Sequence, residues 1–179
     1  IAKKRLREMA GMEILSYVEQ VGPLRAEIDE ADVTLEAIES NILRCPDAAM
    51  AEKMIQLIED VKADGDSIGG VIRGVIRHAP AGLGEPVFDK LHADLAKAMT
   101  SSNAVKGFEY GSGFAGVALR GSQHNDSFYQ DETGRVRTRT NHAGGILGGI
   151  STGETIHFRV AFKPVATIAK AQETITKAG

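Results

Sequence analysis

Residues 140–151 read Thr140-Asn141-His142-Ala143-Gly144-Gly145-Ile146-Leu147-Gly148-Gly149-Ile150-Ser151. Two glycine pairs enclose only Ile and Leu, whereas a flexible solvated linker is rich in polar residues such as Ser. Glycine loses more backbone freedom on folding than any other residue, so chains order such pairs where positive φ or a close backbone approach is needed. We therefore interpret residues 141–150 as a candidate binding wall.

The composition is that of an ordinary globular domain. The chain has 179 residues, of which 42% are hydrophobic and 25% charged, with a net charge of -3. It shows no basic run typical of nucleic-acid binding and no apolar run of membrane-spanning length, so we expect neither partner. Cys45 is the single cysteine, which excludes an internal disulfide and a multi-cysteine metal site. We predict no metal site and a cytoplasmic location.

Two stretches predict helices. Pro46-Asp47 opens the first, over 46–65, and the second covers 86–102. Each carries an apolar stripe that we interpret as core packing, formed by Met50, Met54, Leu57 or Ile58 and Val61 in the first and by Phe88, Leu91, Leu95 and Ala98 or Met99 in the second. The acidic stretch 26–45 has no clear period and is interpreted as a surface excursion.

Strand patterns fill most of the remainder. Residues 12–18, 67–77, 107–110 and 116–119 are β-capable, and Gly69-Gly70 is a candidate bulge. Apolar and polar residues alternate cleanly over 156–162, as in a half-buried strand. Residues 126–139 are polar and interpreted as a flexible excursion. Because the pattern lacks regular βαβ units, it predicts an α+β fold with antiparallel sheets packed against helices.

Gly111-Ser112-Gly113-Phe114-Ala115-Gly116 matches the dinucleotide fingerprint GxGxxG letter for letter. That fingerprint requires a following helix whose N-terminus meets the pyrophosphate. The residues that follow are β-like and soon broken by Gly121, so we reject a Rossmann site. Neither glycine-rich stretch ends in Gly-Lys-Ser/Thr, and a P-loop is therefore unsupported.

Four motifs together resemble the chorismate synthase family. They are Asn103-Ala104-Val105-Lys106-Gly107-Phe108-Glu109, Arg120-Gly121-Ser122-Gln123-His124-Asn125-Asp126, the stretch 141–150, and Lys163-Pro164. The resemblance covers the whole chain and implies a β-α-β sandwich, of which residues 1–179 would form a single partial domain. The family's histidine-containing amino-terminal segment, its Arg-Ser-Ser segment and its carboxy-terminal Arg-Asp-Pro segment have no match here, so we expect an internal piece.

The resemblance also implies a site for reduced FMN along residues 103–168. Matching family residues contact the flavin at Asn103, Ala104 and Gly148, and at the run Lys163, Pro164, Val165, Ala166 and Thr167. The residues alone leave other interpretations open. Asn103 also suits a polar helix stop, Gly148 a tight turn between strands, and Lys163 a solvated strand end.

No catalytic residue is assigned to this chain, because the family's catalytic histidines belong to the unmatched segments. His124 and His142 lie in glycine-flanked polar loops where a titrating imidazole would be plausible. We interpret both as wall or loop residues. Arg120 and Asp126 are expected to order the loop between them rather than to react.

The implied function is conversion of 5-enolpyruvylshikimate 3-phosphate to chorismate, an anti 1,4-elimination of phosphate in the shikimate pathway. Reduced FMN is the cofactor, and the sequence leaves open whether NADPH reduces it on the enzyme. The resemblance also implies a homotetramer, and we expect the isolated chain to be inactive. Two alternatives are a non-catalytic flavin- or phosphate-binding module, which would bind FMN without lyase activity, and a structural interaction domain whose glycines serve only packing.

Overall fold

The computed structural model describes residues 1–177. Its helices are Ala2–Ala10 (α1), Leu35–Glu39 (α2), Ala48–Ala63 (α3), Leu91–Thr100 (α4) and Gly121–His124 (α5), with a 3₁₀-helix at Gly113–Ala118. Its strands are Glu13–Val21 (β1), Leu24–Arg25 (β2), Gly70–Arg77 (β3), Val105–Tyr110 (β4), Phe128–Gln130 (β5), Val136–Thr138 (β6), Ile146–Leu147 (β7), Ile150–Ser151 (β8) and Ile156–Phe162 (β9). None of the helices in residues 1–177 is long and apolar enough to cross a membrane.

The main sheet has five strands in the order β2-β1-β3-β9-β4, and every neighbouring pair is antiparallel. The predicted α+β class with antiparallel sheets is confirmed. Rejection of a Rossmann site is confirmed as well, because β4, which precedes Gly111, pairs antiparallel with β9 and leads into a 3₁₀-helix. Two short ribbons, β5-β6 and β7-β8, flank the sheet.

The two faces of the main sheet differ sharply in chemistry. Directly opposite residues share a face, so Ile72 pairs with Val160 and Ile76 with Ile156 on the apolar side. Arg73 pairs with Arg159 on the other side, which is charged. The alternation predicted over 156–162 is confirmed, since it divides this strand between the two faces.

Helix α3 begins and ends as predicted. Asp47 caps it by accepting a hydrogen bond from the Met50 N–H at 2.9 Å, and Gly65 follows its end with φ 70°. Met54 is fully buried in a cluster with Val21 and Cys45. The core-packing interpretation of the methionine stripe is confirmed.

Helix α4 is shorter than predicted. It begins at Leu91 rather than near residue 86, and Phe88 is 88% exposed instead of lying on its buried stripe. The Leu91 N–H donates to the Gly149 carbonyl, and the Glu85 N–H donates to the Asp89 carbonyl, closing a loop just before the helix. Leu91 and Leu95 do pack on the apolar side of the sheet, next to Phe158.

The stretch 26–45 was wrongly interpreted as a surface excursion. Ala26, Val33, Ile38 and Cys45 are all buried, and Val33 and Ile38 form a core cluster on the charged side of the sheet. Helix α2 lies in this stretch, where Thr34 accepts a hydrogen bond from the Ala37 N–H. A Thr placed before an apolar run was the available signal for this helix.

Two further predictions were wrong in detail. Residues 116–119 lie in and after the 3₁₀-helix rather than in a strand, because the Leu119 N–H donates back to the Gly116 carbonyl. Residues 126–139 are not an unstructured excursion, since β5 and β6 pair there as a hairpin. Its turn is fixed by Asp131, which accepts hydrogen bonds from the Thr133 and Arg135 N–H groups.

The register shifts of the main sheet lie in β1 and, between Val105 and Gly107, in β4 rather than at Gly69-Gly70. Val18 pairs with Ile72 and Gln20 with Val71, so Glu19 is the extra residue. Gly70 instead permits close strand packing, since a Cβ there would lie 2.5 Å from the Gln20 carbonyl oxygen. The bulge places the Glu19 side chain on the charged face beside Tyr17.

Candidate functional site

Asn103 and Ala104 lie between the end of α4 and the start of β4. The turn is tight, because Ala104 has φ 67°, a left-handed conformation that non-glycine residues seldom adopt. The Ala104 carbonyl accepts a hydrogen bond from the Lys163 N–H at 3.0 Å. This bond joins two of the three sequence-predicted segments directly.

The second segment, Lys163 to Thr167, leaves the end of β9 and runs along the surface. The Val165 carbonyl accepts a hydrogen bond from the Ser67 hydroxyl at 2.6 Å, and the Ala169 N–H donates to the Gly65 carbonyl at 2.8 Å. The segment is therefore fixed through its backbone while all five side chains stay exposed. Fixed backbone with free side chains suits a ligand-contacting rim.

The polar side chains of this rim remain available. Within residues 1–177, no protein group bonds the carboxamide of Asn103, the ammonium of Lys163 or the hydroxyl of Thr167. An amide, a cation and a hydroxyl together suit the polar edge of a flavin and its phosphate. Here "the rim" denotes Asn103, Ala104 and residues 163–167.

Gly148 is not part of the rim within one chain. It occupies the exposed β7-β8 turn with φ 61°, and its neighbour Gly149 contacts the first turn of α4 through the Leu91 N–H. Asn103 follows the other end of α4, and a ten-residue helix is about 15 Å long. The single chain therefore brings together two of the three predicted segments and leaves Gly148 apart.

Most glycines of the candidate wall 141–150 serve internal packing. A Cβ at Gly145 would lie 2.7 Å from the Thr155 carbonyl oxygen, and one at Gly144 would meet the backbone of Gly111. Gly148 differs, because a Cβ there would have nothing within 4 Å. Packing thus does not require glycine at position 148, but its φ of 61° in the tight turn between β7 and β8 does favour glycine.

Asp126 orders the loop at residues 140–143, next to these glycines, rather than the loop between Arg120 and Asp126 that was predicted. Its carboxylate accepts hydrogen bonds from the Thr140 hydroxyl and from the His142 and Ala143 N–H groups, at 2.7 to 2.8 Å. Burial alone would raise the pKa of Asp126, but these hydrogen bonds lower it on balance. Arg120 contributes differently, since its carbonyl accepts the first hydrogen bonds of α5.

The histidines of this region contact each other. The rings of His124 and His142 lie 5.4 Å apart between centroids, and His124 Nε2 lies 2.7 Å from the Ser112 hydroxyl oxygen. The sequence predicted neither contact, because Ser112 lies within the fingerprint-like motif and the two histidines lie in separate later segments.

The sequence analysis also did not predict a buried charge network on the charged face of the main sheet. The carboxylate of Glu19 lies within 3.5 Å of the guanidinium groups of Arg25, Arg73 and Arg159. Arg73 also pairs with Glu30, and Arg159 pairs with Glu109. Arg73 and Arg77 were the available signal, because residues four apart in a strand lie on the same face.

His157 completes that network as a neutral imidazole. Burial of the ring, together with the nearby guanidinium of Arg73, lowers the pKa of His157 to about 4. Its Nδ1 donates to the Glu30 carboxylate at 2.7 Å, which by itself would favour the charged ring. Because Arg73 already pairs with that carboxylate, the downward shift prevails.

The chain is similar to known proteins in both sequence and structure. The family model described as chorismate synthase matches residues 1–179. The chain belongs to the chorismate synthase family. It is 62% identical over 179 residues to a chorismate synthase of Synechococcus elongatus and 60% identical to one of Rippkaea orientalis, in each case covering 100% of this chain and 49% of the relative. The chain thus spans about half the length of the curated chorismate synthases it matches.

A solved structure titled "Crystal Structure of Chorismate Synthase" aligns with a TM-score of 0.78 at 31% identity, covering 92% of this chain and 53% of that one. The resemblance inferred from the four motifs is therefore confirmed, and so is the chorismate synthase-like fold.

Proposed function

We propose that the protein to which this chain belongs is a chorismate synthase. It would convert 5-enolpyruvylshikimate 3-phosphate to chorismate by anti 1,4-elimination of phosphate, with reduced FMN as cofactor. The observation that supports this most strongly is the match of the whole chain to the family at 62% identity to a relative of that name.

The residues of the rim fit a flavin. Reduced FMN, when bound, supplies transient electron density that helps the phosphate leave. Lys163 would neutralise an anionic group of the cofactor, Asn103 would hydrogen-bond its polar edge, and Thr167 would donate from its hydroxyl. The small side chain of Ala104 lets the ligand approach the fixed backbone closely.

Gly148 would complete the site from another copy of the chain. Helix α4 separates Gly148 from the rim. The β7-β8 turn that contains Gly148 is exposed, and a Cβ on Gly148 would contact no other residue. A homotetramer would bring an exposed turn of one subunit to the rim of the next. Within residues 1–177 we assign no proton transfer of the reaction to a side chain.

The proposal extends to the cellular location of the enzyme and to the source of its reduced flavin. A cytoplasmic enzyme suits the single buried cysteine, which needs no oxidising compartment. NADPH is retained as a candidate reductant of the flavin, alongside delivery of flavin already reduced.

A chimera tests the proposal. This chain would replace the matching half of the Synechococcus elongatus chorismate synthase, and chorismate formation would be assayed anaerobically with reduced FMN. We expect turnover by the chimera, and neither turnover nor tight FMN binding by the isolated chain. A folded chimera that binds FMN without turnover would favour the flavin-binding module, and one that does neither would favour the structural domain.

The proposed role of Lys163 in the rim can be tested in the same chimera. Lys163→Met should weaken binding of reduced FMN about 10- to 100-fold, the loss expected for one hydrogen bond to a charged group. The matched control is Lys97→Met, which removes an exposed lysine of α4. Equal FMN affinity of the two variants would remove Lys163 from the site.

A further inference from the structure

A serine and a histidine that the proposed lyase chemistry does not use lie within hydrogen-bonding distance. Ser112 Oγ and His124 Nε2 are 2.7 Å apart, and both residues are half-buried. A hydroxyl bonded to an imidazole is the arrangement that activates serine nucleophiles, because the ring accepts the hydroxyl proton as the oxygen attacks.

The fold builds this pair from two separate segments. Ser112 lies in a sharp turn after β4, between Gly111 at φ 58° and Gly113 at φ 52°. His124 ends α5, where its N–H donates to the Arg120 carbonyl, and its ring rests on that of His142. Both partners are thus held by backbone geometry rather than by chance side-chain contact.

Glycine at position 116 keeps the pair close. A Cβ on Gly116 would lie 2.5 Å from Ser112 Oγ and 3.2 Å from His124 Nε2. Any larger residue there would enter the space between the 3₁₀-helix and the two polar atoms. The third glycine of the fingerprint-like motif therefore has a role at this pair.

One neighbouring feature suits an acyl group. Among residues 1–177, no acceptor bonds the N–H of Gly113, the residue after the serine, which is the position that supplies an oxyanion donor in serine hydrolases.

We propose that Ser112 and His124 form a nucleophilic pair that takes an acyl group from small esters. The Ser112 proton moves to His124 Nε2 as the Oγ–carbon bond forms, the ester carbon–oxygen bond breaks, and the leaving alcohol takes the proton. Water, deprotonated by the same imidazole, then hydrolyses the acyl-serine to the acid. This activity is independent of the flavin site.

A sulfonyl fluoride tests the pair directly, because attack by the serine releases fluoride and leaves a stable sulfonyl ester. The purified chain would be treated with phenylmethylsulfonyl fluoride and the modified residue located by peptide mass mapping. We expect Ser112 to be modified first. His124→Gln should slow this modification about 100-fold, the lower range of general-base assistance.

Ser101 provides the internal control. It is exposed, and its hydroxyl bonds the Lys97 carbonyl instead of an imidazole. Circular dichroism would establish that His124→Gln remains folded. Modification of Ser112 no faster than of Ser101, or an unchanged rate in folded His124→Gln, would overturn the proposal.

Discussion

Gly74 shows how one missing side chain fixes the packing of the sheet. It lies in the central strand β3 opposite Phe158, whose ring covers it. A Cβ on Gly74 would lie 2.6 Å from Phe158 Cε2, inside van der Waals contact. The ring cannot move aside freely, because it packs against Phe108 at 5.6 Å between centroids.

Gly74→Ala should therefore destabilise the chain by about 1–3 kcal/mol, the usual cost of overpacking a core. Urea denaturation gives the free energy of unfolding. Gly121→Ala is the matched control, since a Cβ there meets nothing within 4 Å and φ is not positive. If the two variants are equally stable, the prediction is wrong, because the Phe158 ring then moves aside without lowering the free energy of unfolding.

At the scale of elements, the loop from the end of β4 to β7 is tied to the core at few points. Asp126 bonds residues of the turn that precedes β7, and the buried carboxylate of Glu154 accepts two hydrogen bonds from the Arg137 guanidinium of β6. Few buried apolar contacts support this loop, so these polar ties determine its order.

Asp126→Ala should loosen the loop without unfolding the sheet. It leaves the His142 and Ala143 N–H groups without their acceptor, a loss of about 1–3 kcal/mol, so their amide hydrogen exchange should accelerate 10- to 100-fold. Asp131→Ala, which affects only the exposed hairpin turn, is the control. Unchanged exchange at both amides would contradict the role of Asp126.

Elements with local determinants were predictable from sequence, and those with distant ones were not. Helix α3 has its own cap and apolar stripe, and β9 its own alternation. The start of α4 depends instead on the Gly149 carbonyl, which no local pattern of α4 reveals. The order of residues 26–33 likewise depends on Arg77, whose guanidinium donates to the Glu30 and Val33 carbonyls.

The same distinction holds for the candidate site, where some features were predictable from the sequence and others depend on distant contacts. Family motifs identified the rim residues, and the antiparallel pairing of β4 with β9 explains why two of those motifs meet. The separation of Gly148 depends on the length of α4 and its docking, which motif spacing does not encode. The sequence did not predict the charge network around Glu19, because the bulge interrupts the regular alternation of β1 side chains between the two faces of the sheet.

At the scale of the whole molecule, the neutral state of His157 makes stability depend on pH. Its pKa is about 4 in the folded chain and ordinarily 6.5, so between these values the unfolded state binds more protons. This contribution is fully present above pH 6.5 and is lost as the pH falls toward 4.

We therefore expect the free energy of unfolding to fall by up to about 3 kcal/mol over that range through His157 alone. His157→Gln keeps a donor for Glu30 but cannot titrate, and should flatten the dependence when urea denaturation is repeated from pH 7 to pH 4. His78→Asn, at an exposed histidine with φ 59°, should retain it. The prediction is wrong if His157→Gln keeps the full slope.

The extra residue in β1 also has a consequence for how this strand tolerates changes in length. Val18 and Val21 reach the same hydrophobic cluster only because Glu19 is looped out between them. Deleting Glu19 would give a regular ladder in which Val18 still pairs with Ile72, Gln20 with Val71 and Val21 with Gly70, so both valines would keep their side of the sheet. The shorter strand would lose the carboxylate that pairs with Arg25, Arg73 and Arg159, so the length of β1 matters for the charge balance of one face and not for the placement of its valines.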